Sequence, residues 1–399
     1  MARHSQPASQ VLYWPILVSM LAYGLLIFML PIYARDLQAN AFEIGGLFTA
    51  FSITALAARP LVGWGLDRLG RKSFLLAAFL GYALSLAVMA LAGNLLLLYV
   101  SRLIQGVASS FMWITAYTIA TDLSPAGERG RSVALVDAAS AQGMLFGSIP
   151  GWIALLMLPI ALAWPWMFAG YALAALFATW LAWRTVPETK SLPATSPAKA
   201  GVPQQLHPYL YRLMAIVFIT GMTSAMVAPI WLVFIQDHFT QDLRAIVWAY
   251  LPSALVYGFL PPRLGPLSDR LGRTPMMTLG LALSGLVSLA LPALTRLPNG
   301  LWVLAVLWVL EAAGFVMASP AQEALVADLT GADQRGRGYG MYTFAAGLGA
   351  AAGPLLGGWL YDAVSQAAPF YLNGSAMIFC AVLVALLLGG LARKAGTIE

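Results

Sequence analysis

Charge is what this sequence has least of: 10% of its 399 residues are Asp, Glu, Lys or Arg, against about 25% in soluble domains. So little polar surface excludes a water-soluble fold of this length. A single cysteine, Cys380, excludes an internal disulfide and reads as packing. Three histidines and that one cysteine form no metal-spaced cluster, so no metal or other cofactor is expected. The chain also lacks a G-x-x-x-x-G-K-[ST] phosphate loop and a nucleophile–base triad. These absences exclude direct use of ATP through that motif and argue against an integral-membrane hydrolase, so the chain is not expected to be an enzyme.

What fills the space is apolar: 60% of residues are hydrophobic. Crossing a hydrocarbon core of about 30 Å takes about 20 such residues as a helix. Spans are expected near 12–34, 42–64, 73–93, 95–121, 132–157, 162–184, 209–236, 244–262, 274–294, 300–327, 337–362 and 370–392. Segments 73–92 and 377–391 do not alternate as barrel strands do. The polar stretch 1–10 carries no small-residue cleavage site, so the first span is expected to stay as a helix.

The net charge of +6 raises the question of nucleic acid, and the positions of the charges answer it. Of 22 Lys and Arg, 17 fall on the termini and alternate connections, three (Arg35, Arg244, Arg296) on the opposite side, and Arg59 and Arg102 within spans. By the positive-inside rule the rich side is cytoplasmic, both termini lie there, and the number of spans is even. The expected location is a plasma membrane, the inner membrane of a bacterium, with the lipid bilayer and a small molecule as partners and the chain a monomer.

The sequence repeats itself. Gly63-x-x-x-Asp67-Arg68-Leu69-Gly70-Arg71 recurs 202 residues later as Gly265-x-x-x-Asp269-Arg270-Leu271-Gly272-Arg273. Asp122 with Arg129-Gly130-Arg131 recurs at Asp328 with Arg335-Gly336-Arg337, and Ala139, Gly143, Gly147 and Gly151 at Ala345, Gly349, Gly353 and Gly357, both offset by 206. Between the copies, 186–208 holds five prolines among Ser, Thr, Lys and Gln, a composition that cannot bury a core. The expected organisation is therefore an N-terminal six-helix bundle at 1–184, a cytoplasmic linker at 185–208 and a C-terminal six-helix bundle at 209–399. Parallel repeats of this kind place a substrate near the midplane and work by alternating access. Two unequal halves give no ring of identical filter residues, which disfavours a channel.

Gly63, Asp67, Arg68, Gly70, Arg71 and Lys72 match G-x-x-x-D-[RK]-x-G-R-[RK], and on them the chain resembles the major facilitator superfamily over essentially its whole length. The resemblance implies an all-α membrane fold of twelve helices in two pseudo-symmetric bundles. It also implies a cytoplasmic gating network that latches one conformation. Asp122 is expected at the depth of Arg68 and Arg71, and Asp328 with Arg270 and Arg273 as its second-half counterpart beside Asp269.

Within the family, span five of proton-coupled exporters carries G-x-x-x-G-P-x-x-G-G. Gly143, Gly147 and Gly151 match, while Ser148 stands for the proline. The intact form, Gly349, Gly353, Pro354, Gly357 and Gly358, lies in span eleven, and helix packing explains both stripes equally. Pro187-Glu188-Thr189-Lys190 resembles a sugar-porter signature.

Ionisable residues inside spans default to functional hypotheses. Arg102, in a family-like R-x-x-Q-G setting with Gln105 and Gly106, lies roughly 12 Å deep, and Glu311 roughly 15 Å. Both are proton-coupling candidates, with a structural ion pair inside each bundle as the alternative. Asp137 either pairs with Arg59 or titrates. Tyr23, Gln105, Trp113 and Tyr117 are expected to line a cavity in the first half. Met222, Met226, Trp231, Met317 and Gln322 do the same in the second, a wall suited to adaptable recognition of apolar ligands. The first hypothesis is a proton-coupled exporter of amphipathic molecules, resembling the drug:proton antiporter branch. Alternatives are an importer of a polar nutrient such as a sugar, a lipid flippase, or a transport-inactive membrane receptor.

Overall fold

The computed structural model describes residues 8–125, 128–190, 207–260, 270–330 and 335–395. Those residues are helical with short connections. Eleven of the described helices are long and apolar enough to cross a membrane, and a twelfth apolar helix at Leu243–Tyr257 is shorter.

Two expected spans are broken. The first consists of helices Ala8–Ser19 and Leu21–Asp36, which meet at Met20. There the Met20 N–H is shared between the Ile16 and Leu17 carbonyls at 3.0 and 3.3 Å, a local tightening of the helical ladder. The seventh consists of Pro208–Val227 and Ile230–His238. Pro229 between them has no N–H to continue the ladder, so the helix stops and restarts. The ninth ends in a 3₁₀ turn over Leu291–Arg296.

The chain divides into two compact units, Met1–Ala39 with Leu47–Thr195, and Asn40–Gly46 with Ser196–Glu399. The outer turns of helix Ala41–Leu69 thus belong to the second unit and the rest of it to the first.

In each unit a glycine stripe brings two backbones together. Gly143 and Gly147 of helix Arg129–Met157 face the Leu17 and Leu21 carbonyls, and Gly151 faces the Leu25 side chain. In the second unit Gly349, Gly353 and Gly357 of helix Arg335–Ala363 face Met222 and Met226 of Pro208–Val227 in the same way. A side chain at most of these positions would strike main chain, which is how small residues let membrane helices approach. Cys380 is buried in the second unit's core beside Leu213, Met277 and Leu325.

Candidate functional site

The first site builds up from the turn at 70. Gly70 has φ +92°, a conformation open to glycine, and precedes helix Arg71–Ala90. Its duplicate Gly272 has φ +92° before Arg273–Ala290. Glycine offers no capping side chain, so the first N–H groups of helix 71–90 need another acceptor.

Glu188, past the end of helix Ile160–Thr185, supplies it. Its carboxylate accepts from the backbone N–H of Arg71 at 2.9 Å and of Lys72 at 3.2 Å, and also from Thr189 and Lys190. Partial burial alone would raise its pKa. The four N–H donors outweigh that and hold it below the usual carboxylate value.

Thr189, itself buried, donates to Asp122 Oδ2 at 2.9 Å, and Arg71 Nε lies 3.3 Å from the same oxygen. Lys190 Nζ donates to the Arg68 carbonyl at 2.6 Å, and Lys72 Nζ to that of Trp183 at 2.7 Å. The segment 187–190 therefore ties together the ends of three helices. The repeat reproduces the ion pair, with Arg273 Nε 3.5 Å from Asp328 Oδ2. Arg68 stacks over Trp64. Gly63 has open space around it, and it is Gly65 that packs tightly, under the Phe74 ring. The side chain of Asp67 and all of Asp269 lie outside the described residues, and Arg270 sits on an exposed surface.

Sequence reasoning missed Glu188 and Thr189 as members of this network. The signal was present in Pro187-Glu188-Thr189-Lys190, but nothing local in the chain tells which helix end a linker carboxylate will reach.

The second site lies at the middle of the first unit. Gly106 lets helix Leu95–Asp122 approach Phe51 and Thr54 of the neighbouring helix closely. Arg102, one turn earlier and 4% exposed, reaches across it. It donates to the Leu47 carbonyl at 3.2 Å and to Gln105, and its guanidinium stands 4.4 Å from the Phe51 ring centre and 5.2 Å from that of Phe48. A buried cation persists when its donors are satisfied and aromatic faces replace lost hydration. Tyr23 touches Phe51, their rings 6.3 Å apart.

Nearer the Arg-rich end, Tyr117 donates to Asp137 at 2.6 Å and packs on Trp113. Asp137 is thus bonded to Tyr117, and Arg59 is a half-buried cation on another helix.

In the second unit Glu311, half-buried on helix Gly300–Leu329, accepts from Tyr257 Oη at 3.0 Å. Tyr257 packs on Phe315, and Tyr250 on Trp308. Trp231 packs on Trp308 and Phe370, and Met317 lies against the unit's core. Met226, Gln105 and Gln322 are buried by neighbouring helices, whereas Met222 is half-buried beside Gly349.

The Major Facilitator Superfamily model matches the chain twice, over residues 15–212 and 213–398. "Multidrug resistance protein 2" of Bacillus subtilis is 26% identical over 91% of this chain and 90% of its own. "Tetracycline resistance protein, class G" of Vibrio anguillarum is 28% identical over 94% of each. Among solved structures, the inward-open xylose transporter XylE of E. coli superposes with a TM-score of 0.74 at 14% identity, covering 95% of both chains. The human organic anion transporter MFSD10 (TETRAN) superposes with a TM-score of 0.68 at 20% identity, covering 96% of this chain and 100% of its own. These two show likeness of fold.

Proposed function

Because the chain belongs to the Major Facilitator Superfamily and is a multi-pass membrane transporter, we propose that it is a proton-coupled exporter of small amphipathic molecules. The observation that carries this reading is the similarity to multidrug and tetracycline resistance proteins along nearly the full length of both chains. Both termini and the 66–72 turn lie on the cytoplasmic side, as the placement of Lys and Arg supports.

Glu311 is the proton carrier. It sits half-buried mid-way along helix Gly300–Leu329, and Tyr257 holds it by a hydrogen bond that exists with the carboxyl charged or neutral. Opened to each side of the membrane in turn, the carboxyl takes up a proton on one side and releases it on the other. Arg102 fixes the first unit's packing around Tyr23 and Phe51.

The Arg71–Asp122–Thr189–Glu188 network biases the conformational equilibrium. Each member contributes little alone, and a small bias is enough to shift a two-state switch.

Proteoliposomes with an imposed pH gradient test the reading. Adding ethidium or tetracycline on the cytoplasmic-facing side is expected to dissipate the gradient, read by a pH-sensitive dye. A gradient unaffected by either, with xylose or another sugar dissipating it instead, would replace export of amphipathic molecules by uptake of a polar nutrient.

A further inference from the structure

Helix Ala41–Leu69 has an N-terminus whose hydrogen bonds come from two sources. An α-helix leaves its first N–H groups without intrahelical partners. Asn40 and Glu43 satisfy two of them reciprocally: the Glu43 N–H donates to Asn40 Oδ1 at 2.8 Å, and the Asn40 N–H to Glu43 Oε2 at 2.9 Å. This local capping box travels with the helix.

The two N–H groups in between go elsewhere. Phe42 donates to Asp362 Oδ2 at 2.8 Å and Ala41 to Asp362 Oδ1 at 3.4 Å. Asp362 stands at the end of helix Arg335–Ala363. Its charge faces the positive end of the helix dipole, where an anion is stabilised.

Two glycines make room for the contact. A Cβ on Gly358 would strike the Ala41 carbonyl and Phe42, and one on Gly45 would strike the Pro354 main chain. Six residues from two helices thus meet in one close approach, and Ala41 is buried in it while Asp362 stays exposed.

We propose that Asp362 is a releasable latch on the extracellular side, holding residues 40–46 within the second unit in one part of the transport cycle and freeing them in another. The division of labour makes release cheap. When Asp362 lets go, the capping box keeps the helix start folded and only two N–H groups pass to water. The proposal rests on the alternating-access and sidedness readings above, and on the connection 37–40 being extracellular.

Labelling with a membrane-impermeant maleimide tests it in intact cells. The native cysteine, Cys380, is buried. Ala41→Cys reports the latch, and Gly93→Cys, where a side chain meets open space, reports sidedness on a connection that should share the same face. Removing a charge-assisted hydrogen bond is expected to raise labelling of Ala41→Cys about tenfold when combined with Asp362→Ala. Gly358→Leu, which pushes the helix away sterically and leaves the charge in place, is expected to do the same. Equal labelling in both backgrounds with Gly93→Cys labelled from outside would overturn the latch alone. Gly93→Cys labelled only in inverted vesicles would overturn the sidedness, and the extracellular latch with it.

Discussion

Glu188 caps the helix that begins at Arg71, its carboxylate 2.9 Å from the Arg71 backbone nitrogen. The acceptor is 117 residues away in sequence from the donor it satisfies. The turn at Gly70 and the start of the interbundle linker are therefore one structural element.

Glu188→Ala should cost about 1 kcal/mol locally, the usual worth of a helix cap. Hydrogen exchange at the Arg71 and Lys72 amides is expected to quicken about fivefold, with the amides of helix 95–122 unchanged.

The same cap should respond to acid. A carboxylate whose folded pKa is depressed adds stability above its unfolded value, near 4.5, and loses it as pH falls through the folded value. Protection of the two amides is expected to be constant above about pH 5 and to fall below about pH 4, with Glu188→Gln flat across the range.

The duplicated ion pairs should not be equal. Arg71–Asp122 is less exposed than Arg273–Asp328, at 19% and 27% of side-chain surface against 29% and 55%. Double-mutant cycles on thermal stability are expected to give a coupling of up to about 1 kcal/mol for the first pair and less for the second. Asp122→Ala should also slow transport, because it removes the acceptor for Thr189.

Glycines of the two kinds separate cleanly. Gly147→Leu drives a side chain into the Leu21 main chain and should cost about 1–3 kcal/mol, seen as a lower melting temperature in detergent. Gly63→Ala meets nothing and should leave melting unchanged, although Gly63 belongs to the motif and Gly65, beneath Phe74, does not.

Much of this molecule was legible in the sequence because hydrophobic length and charge placement act locally. A span needs about 20 apolar residues whatever it packs against, so the helices stand where the apolar runs stand. The repeat showed that Arg273 and Asp328 would stand to each other as Arg71 and Asp122 do.

The rest depends on which surfaces meet. Pro229 was visible, yet an apolar run continues through it and hid the restart at Ile230. Asp362 carries no signal in the sequence, since its partners are backbone N–H groups that no side-chain pattern reports. Met226 read as cavity wall from its helix position, and nothing in the sequence showed that Gly353 and Gly357 would pack against its main chain. Gln105 and Arg102 were singled out, but the attachment of Arg102 to helix 41–69 follows from the close approach at Gly106.

Whether Glu311 couples proton movement to transport is read from purified Glu311→Gln in proteoliposomes, with ethidium transport followed with and without a pH gradient. The amide keeps the shape of the protonated acid and can still bond to Tyr257. Gradient-driven accumulation is expected to be lost while downhill exchange of ethidium across the membrane continues. Accumulation at the wild-type rate with an unchanged pH dependence would contradict that role for Glu311.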